Sequence, residues 1–344
     1  MNNRYFSVNC RVFLRLLPFI MLAGLASPLH AADDELIIYS GRSDKFVRPV
    51  MDRFTEKTGI KVILHSSSAT SLLNKLRLEG PRTQADAFLS NDAGSLQIGE
   101  EMGFFGEISP DIADVIKPTL RSPNARWLGL SARARVLVVN KNSPQANTIK
   151  SVFDLAAPQL KGRLGITNSS NESFIAGATV YQLAAGEEKT RAWLQGIKDN
   201  SNGQVFNKHS KIVAAVASGK LDVGLVNHYY IYRHLDEHPQ APIRIVMPDQ
   251  QASGIGLAWN VAGIAISKYS NKRVQLEKLL TFLVSREGQQ LFSEVNREYP
   301  ARTDVKTALA IPALNTLKIA DVPMYKLGQM RNHTLDLIEA VGMP

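Results

Sequence analysis

The chain has 344 residues, a formal net charge of +9 and 44% hydrophobic residues, enough for two globular domains. Its one cysteine, Cys10, lies near the N-terminus, so the rest of the chain can form no disulfide, thiolate metal site or cysteine nucleophile. Basic residues are interspersed with acidic ones, which argues against nucleic-acid binding. A mildly basic protein with such a distribution suits a small anionic ligand better.

Residues 1–31 have the pattern of a secretory signal peptide. Arg4, Arg11 and Arg15 give a positive start, an apolar run covers 13–26, and a small residue precedes the polar start of the mature chain. The run is short for a permanent span, which needs roughly 20 apolar residues, so a membrane anchor is the weaker alternative. Removing the three arginines lowers the net charge to +6, and we expect a protein exported to the periplasm.

The mature chain alternates strand-like and helix-like patterns, which is typical of an α/β fold. The first predicted elements are a strand at 35–40, a helix capped by Asp44 or Ser43 and ended by Thr58–Gly59, a strand at 60–64, a helix closed near Gly80–Pro81, and a strand at 85–90. These form a β-α-β-α-β run with right-handed crossovers.

The later elements predict a second sheet and a return to the first one. They are a strand at 136–139 that carries the chain onto the second sheet, strands at 162–166 and 221–226, a strand at 261–266 that returns to the first sheet, and a helix at about 274–283. Polar turns follow the strands at 162–166 and 221–226, which places candidate ligand-binding residues at strand ends.

Seven short segments resemble, in order, those of the periplasmic ferric-ion-binding proteins of ABC importers, a branch of the class II solute-binding proteins. The segments are 39–42 (YSGR), 54–62 (FTEKTGIKV), 85–88 (ADAF), 131–136 (SARARV), 227–230 (NHYY), 285–289 (SREGQ) and 297–300 (REYP). The resemblance covers nearly the whole mature chain. The tyrosine pair combined with YSGR is its most specific part.

This resemblance implies a two-lobed α/β fold with mixed sheets, hinge strands between the lobes and a ligand cleft. Lobe one would comprise 32–134 plus about 260–310, and lobe two 135–259 plus about 311–344. The expected protein is a monomer that binds ferric iron or a ferric chelate and delivers it to an inner-membrane ABC permease. Rotation between the lobes would be absorbed at the strand ends.

The resemblance implies that Tyr229 and Tyr230 are iron ligands. Fe(III) is a hard cation, and a bound cation of such charge can deprotonate a phenol whose pKa is ordinarily near 10. Adjacent residues of a strand point to opposite faces, so both can reach one ion only where the strand turns into a helix. The alternative is that both rings are packing residues at a helix start.

The sequence departs from the best-known pattern of that family at three places. Ser43 stands where some members have a histidine, and Asn91, followed by Asp92, stands where some have a glutamate. The segment 169–174 carries no third tyrosine. Glu172 is its hard anionic donor and is our candidate third metal ligand; its alternative role is that of a first-turn acid favoured by the helix dipole.

The family also implies a synergistic anion, carbonate or phosphate. Arg42 and Arg133 are the candidate donors, because a guanidinium fork matches such an anion in bidentate fashion. Ser173 could add backbone N–H groups at a helix N-terminus. Asn227 and His209 match anion-contacting positions of the family. His209 could donate a hydrogen bond to the anion or ligate metal, or it could instead be a surface residue.

A different ligand and a catalytic role are the two alternatives to iron binding. The same scaffold could bind a phosphate- or phosphonate-bearing molecule, or another small organic anion, through its arginines. An enzyme is not expected, because the sequence has no nucleophile elbow, Walker loop or HExxH motif. Near the site, Arg135 fits either a hinge position paired with an acid or anion binding, and His228 is expected to point away from the tyrosines.

Overall fold

A computed structural model describes residues 35–308 and 311–344, so the predicted signal peptide at 1–31 lies outside the described residues. The strands are β1 (Glu35–Ser40), β2 (Lys61–Ser66), β3 (Ala87–Ser90), β4 (Trp127–Asn140), β5 (Leu164–Thr167), β6 (Val205–Phe206), β7 (Val223–Asn227), β8 (Ile243–Val246), β9 (Trp259–Ile266) and β10 (Tyr299–Pro300).

The helices alternate with these strands over most of the chain. They are α1 (Arg48–Thr58), α2 (Ala69–Glu79), α3 (Ala93–Glu101), α4 (Pro110–Ala113), α5 (Glu172–Ala185), α6 (Glu187–Ser201), α7 (His209–Ala217), α8 (His228–Glu237), α9 (Arg273–Val284), α10 (Arg286–Asn296), α11 (Lys326–Gln329) and α12 (Arg331–Val341). In the part of the chain that is described, no helix combines the length and apolar character needed to cross a membrane.

The first half forms the predicted β-α-β-α-β unit. Strands β2, β1 and β3 are parallel neighbours, and β9 adds to β3 in the antiparallel direction, which confirms the predicted return to this sheet. The predicted N-cap of α1 is wrong. A 3₁₀ turn at Asp44–Phe46 precedes the helix, which begins at Arg48 without a side-chain cap and with Pro49 in its first turn, a position that suits proline.

The long strand β4 connects the two halves of the molecule. Residues 127–134 of this strand pair with β9, whereas residues 135–139 pair with β7 and residues 137–140 with β8. All 14 residues of β4 are buried, including two arginines. The sequence predicted its second part at 136–139, and the structure extends the strand back to Trp127.

The second half is built on β7, with β5 parallel to it and β6 beyond. Helix α12 packs against α5 and α6 of this half, while α11 packs against α3 of the first half. The predicted fold class, a two-lobed α/β protein with mixed sheets and strands that run between the lobes, is confirmed. The exact lobe boundaries stay a prediction.

Two glycines face each other where β4 and β9 pair. Gly129 lies opposite Gly263, and a Cβ atom on Gly263 would lie 2.3 Å from the carbonyl oxygen of Leu128. Because a backbone atom cannot move aside without disturbing the sheet, we expect Gly263→Ala to lower the free energy of unfolding by about 2 kcal/mol. Urea unfolding followed by circular dichroism measures this change.

Gly106→Ala is the matched control, because a Cβ atom there meets its nearest neighbour, Ile266 Cγ1, at an ordinary 3.5 Å. It should change the unfolding free energy by less than about 0.5 kcal/mol. Equal effects of the two substitutions would contradict the close approach of β4 and β9.

Candidate functional site

The tyrosine pair lies where β7 passes directly into α8. Strand β7 ends at Asn227 and α8 begins at His228, so Tyr229 and Tyr230 occupy the first helical turn. Successive helical residues differ in direction by about 100°, so both rings can lie beside one point. Their ring centroids are 4.5 Å apart, with an angle of 36° between the planes. The strand-to-helix turn that the pair requires is present.

The two phenols share a largely buried environment. Tyr229 is buried and Tyr230 is half-buried, and the two side chains interact. Burial and the neighbouring Tyr229 raise the pKa of Tyr230, while the charges of Arg233 and Arg133 oppose this rise. Tyr230 is therefore protonated at neutral pH.

An amide network links the tyrosines to the junction of the two halves. Arg135 Nη1 donates to Asn227 Oδ1 at 3.0 Å, and Asn227 Nδ2 donates to Ser173 Oγ at 3.2 Å and to the Tyr229 hydroxyl at 3.4 Å. Burial lowers the pKa of Arg135 to about 10, so its side chain still carries a charge at neutral pH. The same guanidinium donates from Nη2 to the Leu225 carbonyl oxygen at 3.4 Å, and it has no ion pair with a described acid, which was one of its two predicted roles.

Arg133 lies at the centre of the site. It is 5% exposed, and its Nε has no hydrogen-bond partner among the described residues. Its charge acts on Tyr230, His209 and Glu172. It lines, together with Arg135, Ser173, Ala176, Gly177, Asn227, Trp259 and Asn260, a cavity of about 10 Å³. This cavity has room for about one water molecule.

His209 begins α7 and is 5% exposed, so it is not a surface residue. Its ring stacks on Tyr230 with 5.1 Å between centroids, and its Nδ1 lacks a hydrogen-bond partner within residues 35–308 and 311–344. Burial, together with the charges of Arg135 and Arg133, holds the pKa of His209 well below its usual value. A neutral imidazole with one free nitrogen therefore faces the tyrosine pair.

Glu172, the first residue of α5, faces the opposite half of the molecule. It interacts with the side chain of Asn91 and lies near Asp92, both of which follow β3. Burial and the charge of Asp92 raise the pKa of Glu172, while the guanidinium groups of Arg331 and Arg133 oppose the rise. Two positions at which the sequence departs from the family pattern thus meet across the cleft.

Arg42 has a protein carboxylate as its partner. Its Nη2 lies 2.5 Å from Glu298 Oε1, and Ser131 Oγ donates to the other carboxylate oxygen at 2.6 Å. Both members of the ion pair are buried. Burial alone would raise the pKa of Glu298, but the charges of Arg42 and Arg133 and these hydrogen bonds hold it below its usual value. Anion binding by Arg42 stays a prediction.

His228 points away from the tyrosine oxygens. Its Nδ1 accepts from the Ala134 N–H at 3.1 Å, and its Nε2 donates to the Arg297 carbonyl oxygen at 2.7 Å. Burial lowers the pKa of His228 to about 4, so the ring is neutral and both of its nitrogens are used. Its role is to join the start of α8 to β4.

Two residues beside the site were not predicted from the sequence. Phe46 meets the Tyr229 ring at 6.1 Å between centroids, and the Arg233 guanidinium lies 5.3 Å from the centre of the same ring. Arg233 follows Tyr229 by four residues on a helix, so that spacing could have indicated it. In the described residues, no group of three or more His, Cys, Asp or Glu side chains could hold a metal ion.

The fold and the cleft define a two-lobed binding protein. The family model described as bacterial extracellular solute-binding protein matches residues 50–317, and the chain belongs to this family. The prediction of a solute-binding protein and not an enzyme is thereby confirmed.

Within this family, the chain is similar in sequence to proteins named for iron uptake or ferric iron binding. The chain is 32% identical over 301 residues to iron uptake protein A1 of Synechocystis sp., covering 86% of this chain and 83% of that one. It is 28% identical over 333 residues to the major ferric iron-binding protein of Neisseria meningitidis, covering 94% and 98%.

The fold is also similar to solved structures of ferric-binding proteins. The Trichodesmium protein IdiA (FutA) in complex with iron and citrate ligands has a TM-score of 0.81 at 30% identity, covering 90% of this chain and 100% of that one. The ferric binding protein from Campylobacter jejuni has a TM-score of 0.83 at 26% identity, covering 90% and 100%. The predicted resemblance is confirmed.

The buried Arg42–Glu298 pair predicts a pH-dependent stability. Glu298→Gln should lower the free energy of unfolding by about 3 kcal/mol at neutral pH, because it leaves Arg42 and Arg133 without a counter-charge. The folded-state pKa of Glu298 is depressed, so its contribution is fully present above the ordinary value of 4.5 and is lost as the pH falls through the lower folded value. Urea unfolding of both proteins at several pH values measures this difference.

Glu277→Gln serves as the control, because Glu277 forms an exposed pair with Arg273 on α9. Its effect should stay below about 0.5 kcal/mol at every pH. A difference between Glu298→Gln and the original protein that is unchanged by acid would argue against an ionised Glu298.

Proposed function

We propose that this chain is the periplasmic solute-binding component of an ABC importer and that it binds ferric iron. The observation that carries the proposal is the pair of adjacent phenols, Tyr229 and Tyr230, with ring centroids 4.5 Å apart in the first turn of α8. The relatives named for ferric iron or iron uptake favour this cargo over a small organic anion.

Iron would bind through oxygen donors from the second half of the molecule. Tyr229 and Tyr230 would lose their protons to the cation and supply two negative charges. Glu172 is the proposed third ligand, because it is a half-buried carboxylate on the wall of the same cleft. Binding of iron should therefore release protons and should weaken as the pH falls.

A carbonate or phosphate ion would complete the site. Arg133 and His209 are its proposed donors, because each has a buried nitrogen without a hydrogen-bond partner among the described residues. Ser173 and Asn227 line the same cavity as Arg133. Arg42 would contribute only if its pairing with Glu298 loosened.

Delivery would follow export and closure. The segment 1–31 would be removed as a signal peptide, and the mature monomer would carry iron to an inner-membrane permease. The lobes would comprise 32–134 with about 260–310, and 135–259 with about 311–344. The change of strand partners between Ala134 and Arg135 supports a hinge at this point of β4.

The tyrosine pair predicts a visible tyrosinate-to-iron absorption band. Ferric citrate added to the purified protein should produce this band, and Tyr229→Phe together with Tyr230→Phe should abolish it. Removing a residue that only hydrogen bonds to a metal ligand lowers metal affinity about 10- to 100-fold. Either single tyrosine substitution removes a ligand itself, so it should lower the iron affinity by more than this. Absorption titration against a competing chelator measures both effects.

Tyr269→Phe is the control, because Tyr269 lies in the first half beside Lys268 and away from the cleft. It should leave the band and the affinity unchanged. A protein that stays colourless with ferric citrate, yet is stabilised against heat by an organic phosphate, would exclude the iron proposal.

If Arg133 binds the anion, its substitution should remove the dependence of the iron affinity on carbonate or phosphate. Arg133→Gln should lower the iron affinity about tenfold or more in carbonate or phosphate buffer, because a charged donor to the anion is removed. The same substitution should make the affinity nearly independent of the anion concentration. Chelator competition at several anion concentrations measures this.

Arg191→Gln is the matched control, since Arg191 is an exposed arginine paired with Glu187 on α6. It should leave the anion dependence intact. If Arg133→Gln retained the full dependence on carbonate or phosphate, the anion would have to bind elsewhere.

A further inference from the structure

Four rings form a row across the cleft. Phe46 meets Tyr229 edge-on at 6.1 Å and 63°, Tyr229 meets Tyr230 at 4.5 Å, and Tyr230 stacks on His209 at 5.1 Å. Tyr229, Tyr230 and His209 belong to the second half of the molecule. Phe46 belongs to the first half, so the row is continuous only while the two halves are together.

The first half fixes the position of Phe46. The residue ends the 3₁₀ turn that follows β1, and Asn296 Nδ2 donates to its carbonyl oxygen at 2.9 Å. The guanidinium of Arg42 lies 5.3 Å from the centre of the Phe46 ring. Arg42 is itself paired with the buried carboxylate of Glu298, so the ring lies beside a buried ion pair of the first half.

The second half supplies a cation to the same ring. The guanidinium of Arg233 lies 4.6 Å from the centre of the Phe46 ring and 5.3 Å from that of Tyr229. It therefore bridges the two rings, one from each half. Aromatic pairs and cation–π contacts are each favourable, and here both are made between the halves.

We propose that Phe46 is a positioning residue that holds the closed cleft over Tyr229 and thereby slows the loss of bound iron. The proposal rests on the iron-binding function proposed above and adds a role for a residue that cannot itself ligate metal. The Phe46 ring covers one side of Tyr229 and limits the access of water and competing chelators to the phenol oxygen. It also adds contacts that must break before the halves can separate.

These contacts affect release more than capture. Iron would reach the tyrosines while the cleft is open and Phe46 is distant from them. Phe46 would then contribute only after closure, so its loss should change the dissociation rate and leave the association rate nearly unchanged. The expected increase in the dissociation rate is about tenfold, the order that one aromatic pair and one cation–π contact supply.

The experiment compares iron-loaded Phe46→Leu, Phe46→Trp and the original full-length mature protein. Iron loss to excess chelator is followed by the decay of the tyrosinate-to-iron band, and loading with ferric citrate is followed by its appearance. We expect Phe46→Leu to lose iron about tenfold faster, with an unchanged band position and loading rate. Phe46→Trp, which retains an aromatic ring, should restore slow release.

Phe153→Leu is the control for loss of a phenyl ring alone. Phe153 is also half-buried, meets Tyr181 edge-on at 6.0 Å and carries the Lys189 ammonium 4.3 Å from its ring centre, but it lies outside the site. It should leave iron release unchanged. Unchanged release in Phe46→Leu, equal acceleration in Phe153→Leu, or no recovery in Phe46→Trp would each overturn the role of Phe46. Failure of the original protein to form the band would overturn the iron-binding proposal as well, so the two failures are distinguishable.

Discussion

The buried positive charge at the middle of β4 is the constraint on which the site depends. Arg133 and Arg135 are both at most 5% exposed, and neither forms a direct ion pair among the described residues, although the charge of Glu298 acts on Arg133. Burying a charge without a directly paired counter-charge is costly. Arg135 donates to the amide oxygen of Asn227, and the Nε of each arginine is buried without a hydrogen-bond partner among the described residues. Ionised phenols and a bound anion would reduce this cost.

The geometry of β4 explains why these groups converge. Alternate residues of a strand point to the same face, so Arg133 and Arg135 both face the cavity. The intervening Ala134 uses its backbone N–H to bind His228, which sits one residue before the tyrosine pair. The same short stretch of strand therefore positions both the cations and the start of α8. The point at which β4 changes its partner from β9 to β7, between Ala134 and Arg135, therefore lies within the site.

The sequence predicted most of the regular elements because their apolar spacing is strong. The failure at α1 has a local cause, since Pro49 in the first turn sets the helix start and leaves Ser43 and Asp44 in a separate turn. The first part of β4 was missed because its two arginines interrupt the apolar pattern of a buried strand.

The site was predicted only as far as local sequence allows. The Tyr229–Tyr230 arrangement depends on a strand-to-helix turn, which neighbouring residues encode. The contacts of Glu172 with Asn91 and of Phe46 with Tyr229 join segments far apart in the chain, and no local pattern encodes them. His209 was assigned through the resemblance, and its burial against Tyr230 could not be read from its neighbours.

The same two contacts between distant segments show what ligand entry requires. Glu172 meets Asn91 on one side of the cleft, and Phe46 meets Tyr229 on the other. The cavity beside Arg133 holds about 10 Å³, which is room for about one water molecule and too little for a carbonate or phosphate ion. An ion of that size would need the cavity to widen, and the opening of both contacts would allow this. Since β4 is continuous through both halves, the simplest such motion is a bend of this strand near Ala134, which would separate both contacts together.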